Sequence, residues 1–233
     1  MKYKTTAIMT MTLLFFAAAA FAALSKDAVK RLNEATTVLT EIRTAPDNGI
    51  PEQIWDKAEC VVVIPSLKKA AFIIGGEFGS GVMSCRNAKA WSAPVFMQLA
   101  KGSAGFQVGA QAIDLVLVVM NRGGVDKLLG NKVTLGADAS VAAGPVGRAA
   151  NAATDAQLST EMLAYSRAKG LFAGIDISGG TLKPDTDENG RAYGSNVSVR
   201  DIALGTASVN VPAEAKAFTS ALSRDVRATT GVK

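Results

Sequence analysis

Twenty of the 22 glycines fall between Gly75 and Gly205, where they punctuate a series of short β-rich runs. No other feature of the chain restricts the fold so much. Glycine weakens a helix interior by about 1 kcal/mol relative to alanine, and within a strand it marks a bulge, a bend or a close backbone approach. The runs are Val61–Ile64, Ala70–Ile74, Gly81–Cys85, Pro94–Leu99, Ser103–Met120, Val133–Ala143, Met162–Tyr165 and Leu171–Ile177. They predict an α+β, β-rich fold, with an antiparallel barrel-like or sandwich body between N-terminal and C-terminal helices.

The helices are read from periodicity. Ala28, Leu32, Ala35, Leu39 and Ile42 recur at steps of four and three, which is one face of a helix over residues 24–44. Ser25 is placed to cap it, and Pro46 with Asn48-Gly49 ends it. Pro51–Glu59, with Trp55, reads as a second short helix and Asn121–Leu129 as a third. Pro212–Ala228 is helical again, with Phe218, Leu222 and Val226 on one face. No linker or internal repeat divides residues 23–233, which read as one domain.

Residues 1–22 read as an address. Lys2 and Lys4 precede an uncharged run from Thr5 to Ser25, and Ala20-Phe21-Ala22 supplies a small-x-small cleavage pattern. This is the order of a secretory signal peptide; an uncleaved anchor of 21 residues is the alternative. Removing it lowers the formal net charge from +5 to +3. The mature chain is then expected to be periplasmic or secreted, soluble or peripheral to a membrane. In an oxidising compartment Cys60 and Cys85 are candidates for a disulfide, the alternative being two reduced, packed thiols.

Composition narrows the chemistry. The chain has no histidine, which excludes a Ser-His-Asp triad, a Cys-His pair and His-ligated zinc. Two cysteines cannot build a Cys₄ metal site. Catalysis would have to run on carboxylates, lysine or tyrosine, and no such constellation is placed by the sequence. Asp114, just before the apolar run Leu115 to Met120, reads as a hydrogen-bonded carboxylate at a strand bend.

Several ordered blocks resemble the SYLF domain family. They are Ile64-Pro65-Ser66-Leu67-Lys68-Lys69-Ala70-Ala71-Phe72, Gly75-Gly76-Glu77-Phe78-Gly79-Ser80-Gly81, Trp91-Ser92-Ala93-Pro94, Gly105-Phe106-Gln107-Val108-Gly109-Ala110-Gln111 and Asp114-Leu115-Val116. Gly136 to Arg148, and Tyr165-Ser166-Arg167 with Gly170-Leu171-Phe172-Ala173-Gly174, are similar as well. The resemblance covers roughly residues 26 to 205 and implies a β-rich body with flanking helices that binds lipid. Eukaryotic members bind phosphoinositides, partly through an N-terminal amphipathic helix, and some fungal members bind and bundle actin. An exported bacterial member meets neither, so the resemblance implies only the general activity, contact with anionic phospholipid; no cofactor is expected.

The lipid-binding candidates are Lys26, Lys30 and Arg31 on the first helix, and Lys68 and Lys69 in a turn expected between two strands. Each cation near an anionic surface contributes about 1 kcal/mol, and an amphipathic helix can lie in the headgroup region. A helix packed on the β body is the competing reading of residues 24–44. Gly136–Arg148 lacks both phosphate-loop patterns, so no nucleotide is expected; its small residues read as tight packing. Asp185, Asp187 and Asn189 match the first half of a calcium loop, D-x-D-x-N-G, but the twelfth position is Asn196. They are a weak calcium candidate beside a plain surface turn. The sequence thus predicts a non-enzymatic, exported protein in peripheral contact with anionic membranes; the alternative is a soluble carrier or scaffold for an apolar ligand or a protein partner.

Overall fold

The computed structural model describes residues 24–45, 49–71, 74–88, 90–104, 111–147, 159–168 and 171–223. Residues 1–22, expected to be a signal peptide, and Arg148 lie outside them, as do the side chain of Lys69 and Val226. The fold class is the expected one, α+β with helices at both ends of a large sheet that curls into a half-barrel.

The order is α1 (Lys26–Thr44), α2 (Glu52–Lys57), β1 (Cys60–Ala71), β2 (Ile74–Asn87), β3 (Ala90–Trp91), β4 (Val95–Ala104), β5 (Gln111–Val119) and α3 (Arg122–Leu128). Then come β6 (Val133–Thr134), β7 (Val141–Ala143), β8 (Met162–Ala168), β9 (Leu171–Gly174), β10 (Thr181–Pro184), α4 (Thr186–Tyr193), α5 (Val199–Leu204) and α6 (Ala215–Ser223). The strands pair in the order β6-β10-β4-β2-β1-β5-β8-β7, with β3 on β2 and β9 on β8. Among the described strand pairs only β7–β8 is parallel. The long central strands β1, β2, β4 and β5 run side by side as antiparallel neighbours.

Both faces of this sheet are buried near the end that holds Cys60 and Cys85. On one face Cys60, Val62, Ile64, Leu115, Leu117 and Val119 pack with α3 and α5. On the other, Val61, Val63, Val116 and Val118 pack under α1, α2 and α6. A strand buried on both sides needs a continuous apolar run rather than alternation, which is why β1 begins Cys-Val-Val-Val-Ile. Cys60 and Cys85 oppose each other in the β1–β2 register and form a disulfide. Among the described residues no helix is long and apolar enough to cross a membrane.

The first helix packs against the sheet. Ser25 caps it, its Oγ accepting from the Ala28 N–H at 3.0 Å. Ala28, Leu32, Ala35, Val38, Leu39 and Ile42 are at most 2% exposed. This corrects the expectation that the apolar stripe of residues 24–44 meets a bilayer: the stripe is part of the protein core. The glycine-rich block before Arg148 is packed tightly, as expected. A Cβ on Gly144 would fall 2.1 Å from the ring of Tyr165.

Two short helices, α4 and α5, follow β10, and α4 takes the place of the plain surface turn weighed at Asp185, Asp187 and Asn189. Asp185 caps α4 by accepting from the Glu188 N–H, and Ser198 caps α5 by accepting from the Asp201 N–H. The calcium candidate is therefore corrected. Asp185 faces Arg31, and Asn189 lies inside a helix, bonding the backbone of Phe96 through both its oxygen and its nitrogen at 2.9 Å. Asp187 is exposed on α4. Among the described residues no three His, Cys, Asp or Glu side chains group to hold a metal.

Candidate functional site

The expected turn at Lys68 and Lys69 is replaced by a β-bulge. Strand β1 continues past Pro65 to Ala71, but its register slips by one residue against both neighbours. Val63 opposes Val82, whereas Lys68 opposes Phe78. Pro65 has no N–H to give the ladder, and Ser66 takes a positive φ of 54°. The Ser66 N–H leaves the sheet and donates to Asp114 Oδ1 at 2.9 Å. Asp114 Oδ2 accepts from Arg167 Nε at 2.7 Å, and Arg167 also pairs with Glu41 of α1. Asp114 is thus the hydrogen-bonded carboxylate expected from its place in the sequence. Burial lowers the pKa of the Arg167 guanidinium from its ordinary value.

The bulge reverses which residues face α1. Before it, Val61 and Val63 point to α1; after it, Leu67 belongs to the opposite core while Ser66 and Lys68 line the α1 side. A strand without the extra residue would send Lys68 into the core. Glycine in β2 makes room for the kink, since a Cβ on Gly81 would lie 2.3 Å from the Val63 carbonyl.

Beyond the bulge the helices no longer cover the sheet, and a cleft of about 820 Å³ opens between the first turns of α1 and the strands. Its floor is made of short or polar side chains, Ser80, Gln98, Ala100 and Ala112. Lys30, Lys68 and Lys183 line it from three elements, with Asp27 and Glu34 on the α1 wall. Phe78 stands beside Lys68 at 62% exposure. Lys30 lies 3.8 Å from Glu34; among the described residues Lys68 and Lys183 have no ion-pair partner.

The predicted cations do not all belong to this cleft. Lys30 and Lys68 do. Lys26 is exposed on α1 but does not line it, and of Lys69 only the backbone is described, paired with Glu77 and Gln111. Arg31 borders the cleft with its guanidinium turned to the body, 3.1 Å from Asp185 and over the Phe96 ring at 5.6 Å. Its side chain is 12% exposed, so its candidacy as a free lipid contact is corrected: it latches α1 to the cap of α4. Ser25 makes a second latch, donating to Glu188 Oε2 at 2.9 Å. The sequence reading missed Lys183 and Phe78. Lys183 follows Leu182, whose side is the opposite core, so alternation along β10 would have placed it once that strand was known.

Tyr165, which is buried, and Tyr193, which is half-buried, have structural roles. Burial pushes the phenols of Tyr165 and Tyr193 well above their ordinary value. Tyr193 donates to the Pro94 carbonyl, and the Tyr165 ring fills the space against Gly144.

An open half-barrel, covered on both faces at one end and with a basic cleft at its bare end, defines the class: a small α+β domain with helices at both ends of a curled sheet. The sequence model of the Ysc84 family, described as Las17-binding protein actin regulator, matches residues 100–225. The chain belongs to this family, that of the SYLF domains. It is similar to LAS seventeen-binding protein 3 of Saccharomyces cerevisiae, 35% identical over 163 residues, which covers 68% of this chain and 35% of that protein. It is also similar to SH3 domain-containing YSC84-like protein 1 of Rattus norvegicus, 32% identical over 194 residues, 82% of this chain and 56% of that one. The chain spans about a third to just over half of the length of these curated relatives.

Proposed function

We propose that this SYLF-family chain is an exported, non-enzymatic lipid-binding protein that makes peripheral contact with anionic phospholipid membranes. The observation that carries the reading is the cleft beyond the β1 bulge, where three lysines from separate elements and one exposed phenylalanine share a single face. Cations at the depth of lipid phosphates gain attraction, and an apolar side chain among them gains burial. Export rests on the order of residues 1–22, and a purified mature chain beginning at Ala23 is its expected form. Co-sedimentation with anionic and neutral vesicles over a salt series tests the activity. Binding to anionic vesicles that weakens as salt rises supports it; equal absence of binding to both removes it.

A second reading comes from the relatives, one of which is named for binding LAS seventeen. Here the same cleft would take an acidic segment of a protein partner. Vesicle binding unaffected by substitutions in the cleft, together with capture of an acidic peptide by the cleft, would favour it.

A further inference from the structure

We propose that the membrane contact is made by the bare face of the sheet, with Phe78 entering the bilayer while α1 stays docked on the body. This rests on the lipid-binding reading above and specifies the surface and its mode of contact. Phe78 lies within a strand rather than on a loop, and its neighbours across the sheet are Lys68 and Ala100. Its ring lies over Gly76, where a Cβ would come within 2.5 Å of the ring edge. The glycine therefore leaves room for the ring on the sheet surface, with 62% of the residue exposed. Among the described residues the surrounding floor is short, and the lysines and the wall of α1 line the same cleft as the ring.

An apolar ring within a set of ammonium groups suits one occupant, the surface of an anionic phospholipid bilayer. Cations at the phosphate level and an aromatic side chain just below it satisfy both parts of that surface. The acids do not cancel this set. Glu34 is engaged with Lys30, and Asp27 sits on the α1 wall, leaving Lys68 and Lys183 without ion-pair partners among the described residues.

Release of α1 would work against binding. Its six buried side chains share a core with Val61, Val63 and Phe96, so peeling it away would uncover both surfaces. It would also break the Ser25–Glu188 and Arg31–Asp185 latches and remove Lys30 from the cleft.

The test uses the chain with vesicles of phosphatidylglycerol and phosphatidylcholine, and with phosphatidylcholine alone. Phe78→Ser is expected to weaken binding to the anionic vesicles about tenfold, the loss from leaving a phenylalanine unburied. Leu171→Ser removes another exposed apolar side chain, 67% exposed and next to Phe172, which faces the α1 side. That substitution is expected to leave binding unchanged. Phe78→Trp should give indole fluorescence quenched by brominated acyl chains, above the signal from Trp55 and Trp91 of the parent chain. Parent-like binding by Phe78→Ser, or no added quenching in Phe78→Trp, overturns this inference while leaving lipid binding intact. Failure of the parent chain to bind anionic vesicles at any salt overturns the lipid-binding reading as well.

Discussion

Phe96 and Phe78 lie on the same face of the same sheet, on neighbouring strands, yet one is sealed and the other bare. Phe96 is fully buried beneath Arg31 and beside α4, with its backbone held by Asn189. Phe78 is 62% exposed on the other side of the bulge. The difference lies in what covers each end. Near Phe96 the strands carry Val, Leu and Met on both faces and the helices close over them. Past Pro65 the α1 side changes to Lys, Ser, Gln and Ala, a surface that no helix could bury without desolvating charge. One end holds the fold together, and the other is left uncovered.

That contrast makes the covered end the place where substitution should do most damage. Phe96→Ala is expected to cost about 3–5 kcal/mol, since it leaves a cavity under α1 and α4. Chemical denaturation followed by circular dichroism measures it. A loss below 1 kcal/mol would mean that the two ends differ less than their burial implies. Replacing both Cys60 and Cys85 by alanine frees a loop closed over a sequence separation of 25 and should cost about 3 kcal/mol. The same loss should appear when the parent chain is unfolded under reducing conditions.

The boundary between the two ends should be intermediate. Asp114→Ala removes the acceptor for the Ser66 N–H and one carboxylate partner of Arg167, at a cost of about 2 kcal/mol. Because the bulge sets the facing of Lys68, this variant should also lose vesicle binding beyond what its stability explains.

A smaller effect tests how the covered end is tied to its loops. The strongest single influence on Glu161 is burial, which raises its pKa. Hydrogen bonds from the Lys127 ammonium and from the Ser140 backbone and hydroxyl together outweigh it, so the carboxyl titrates below its ordinary 4.5. The folded state thus favours the ionised form. Its contribution is complete above pH 4.5 and disappears as the pH falls through the lower, folded value. Glu161→Gln should flatten the loss of stability below pH 4.5 and leave the shape of the curve unchanged above it. Thermal melts across the acid range decide this.

The covered end was far more legible in the sequence than the open one. The 3.6-residue period of Ala28, Leu32, Ala35, Leu39 and Ile42 marks buried positions because packing alone sets it. The candidate pairing of Cys60 and Cys85 needed only two strand ends to meet. The open end depends on a register slip, and a slip is visible only against its neighbours. Pro65-Ser66 reads locally as a terminator; the chain continues as a strand because Asp114, 48 residues away, takes up the Ser66 N–H. Asp185 and Glu188 carried a second ambiguity. Asp185 with Asp187 and Asn189 fits the first half of a calcium loop, whereas Asp185 with Glu188 three residues on fits a helix cap; the ion pair with Arg31 that favours the cap is a long-range contact.

The smallest expected effect returns to Phe78. A side chain that is mostly exposed in the folded state loses little on truncation, so Phe78→Ser should change stability by no more than about 0.5 kcal/mol. The midpoint and slope of its denaturation curve should both match those of the parent chain. If it instead destabilises the fold as much as Phe96→Ala, the ring supports the sheet and the bare face is an extension of the core. Near-parental stability with weakened vesicle binding would establish the opposite, that this face contributes little to folding and is kept for contact.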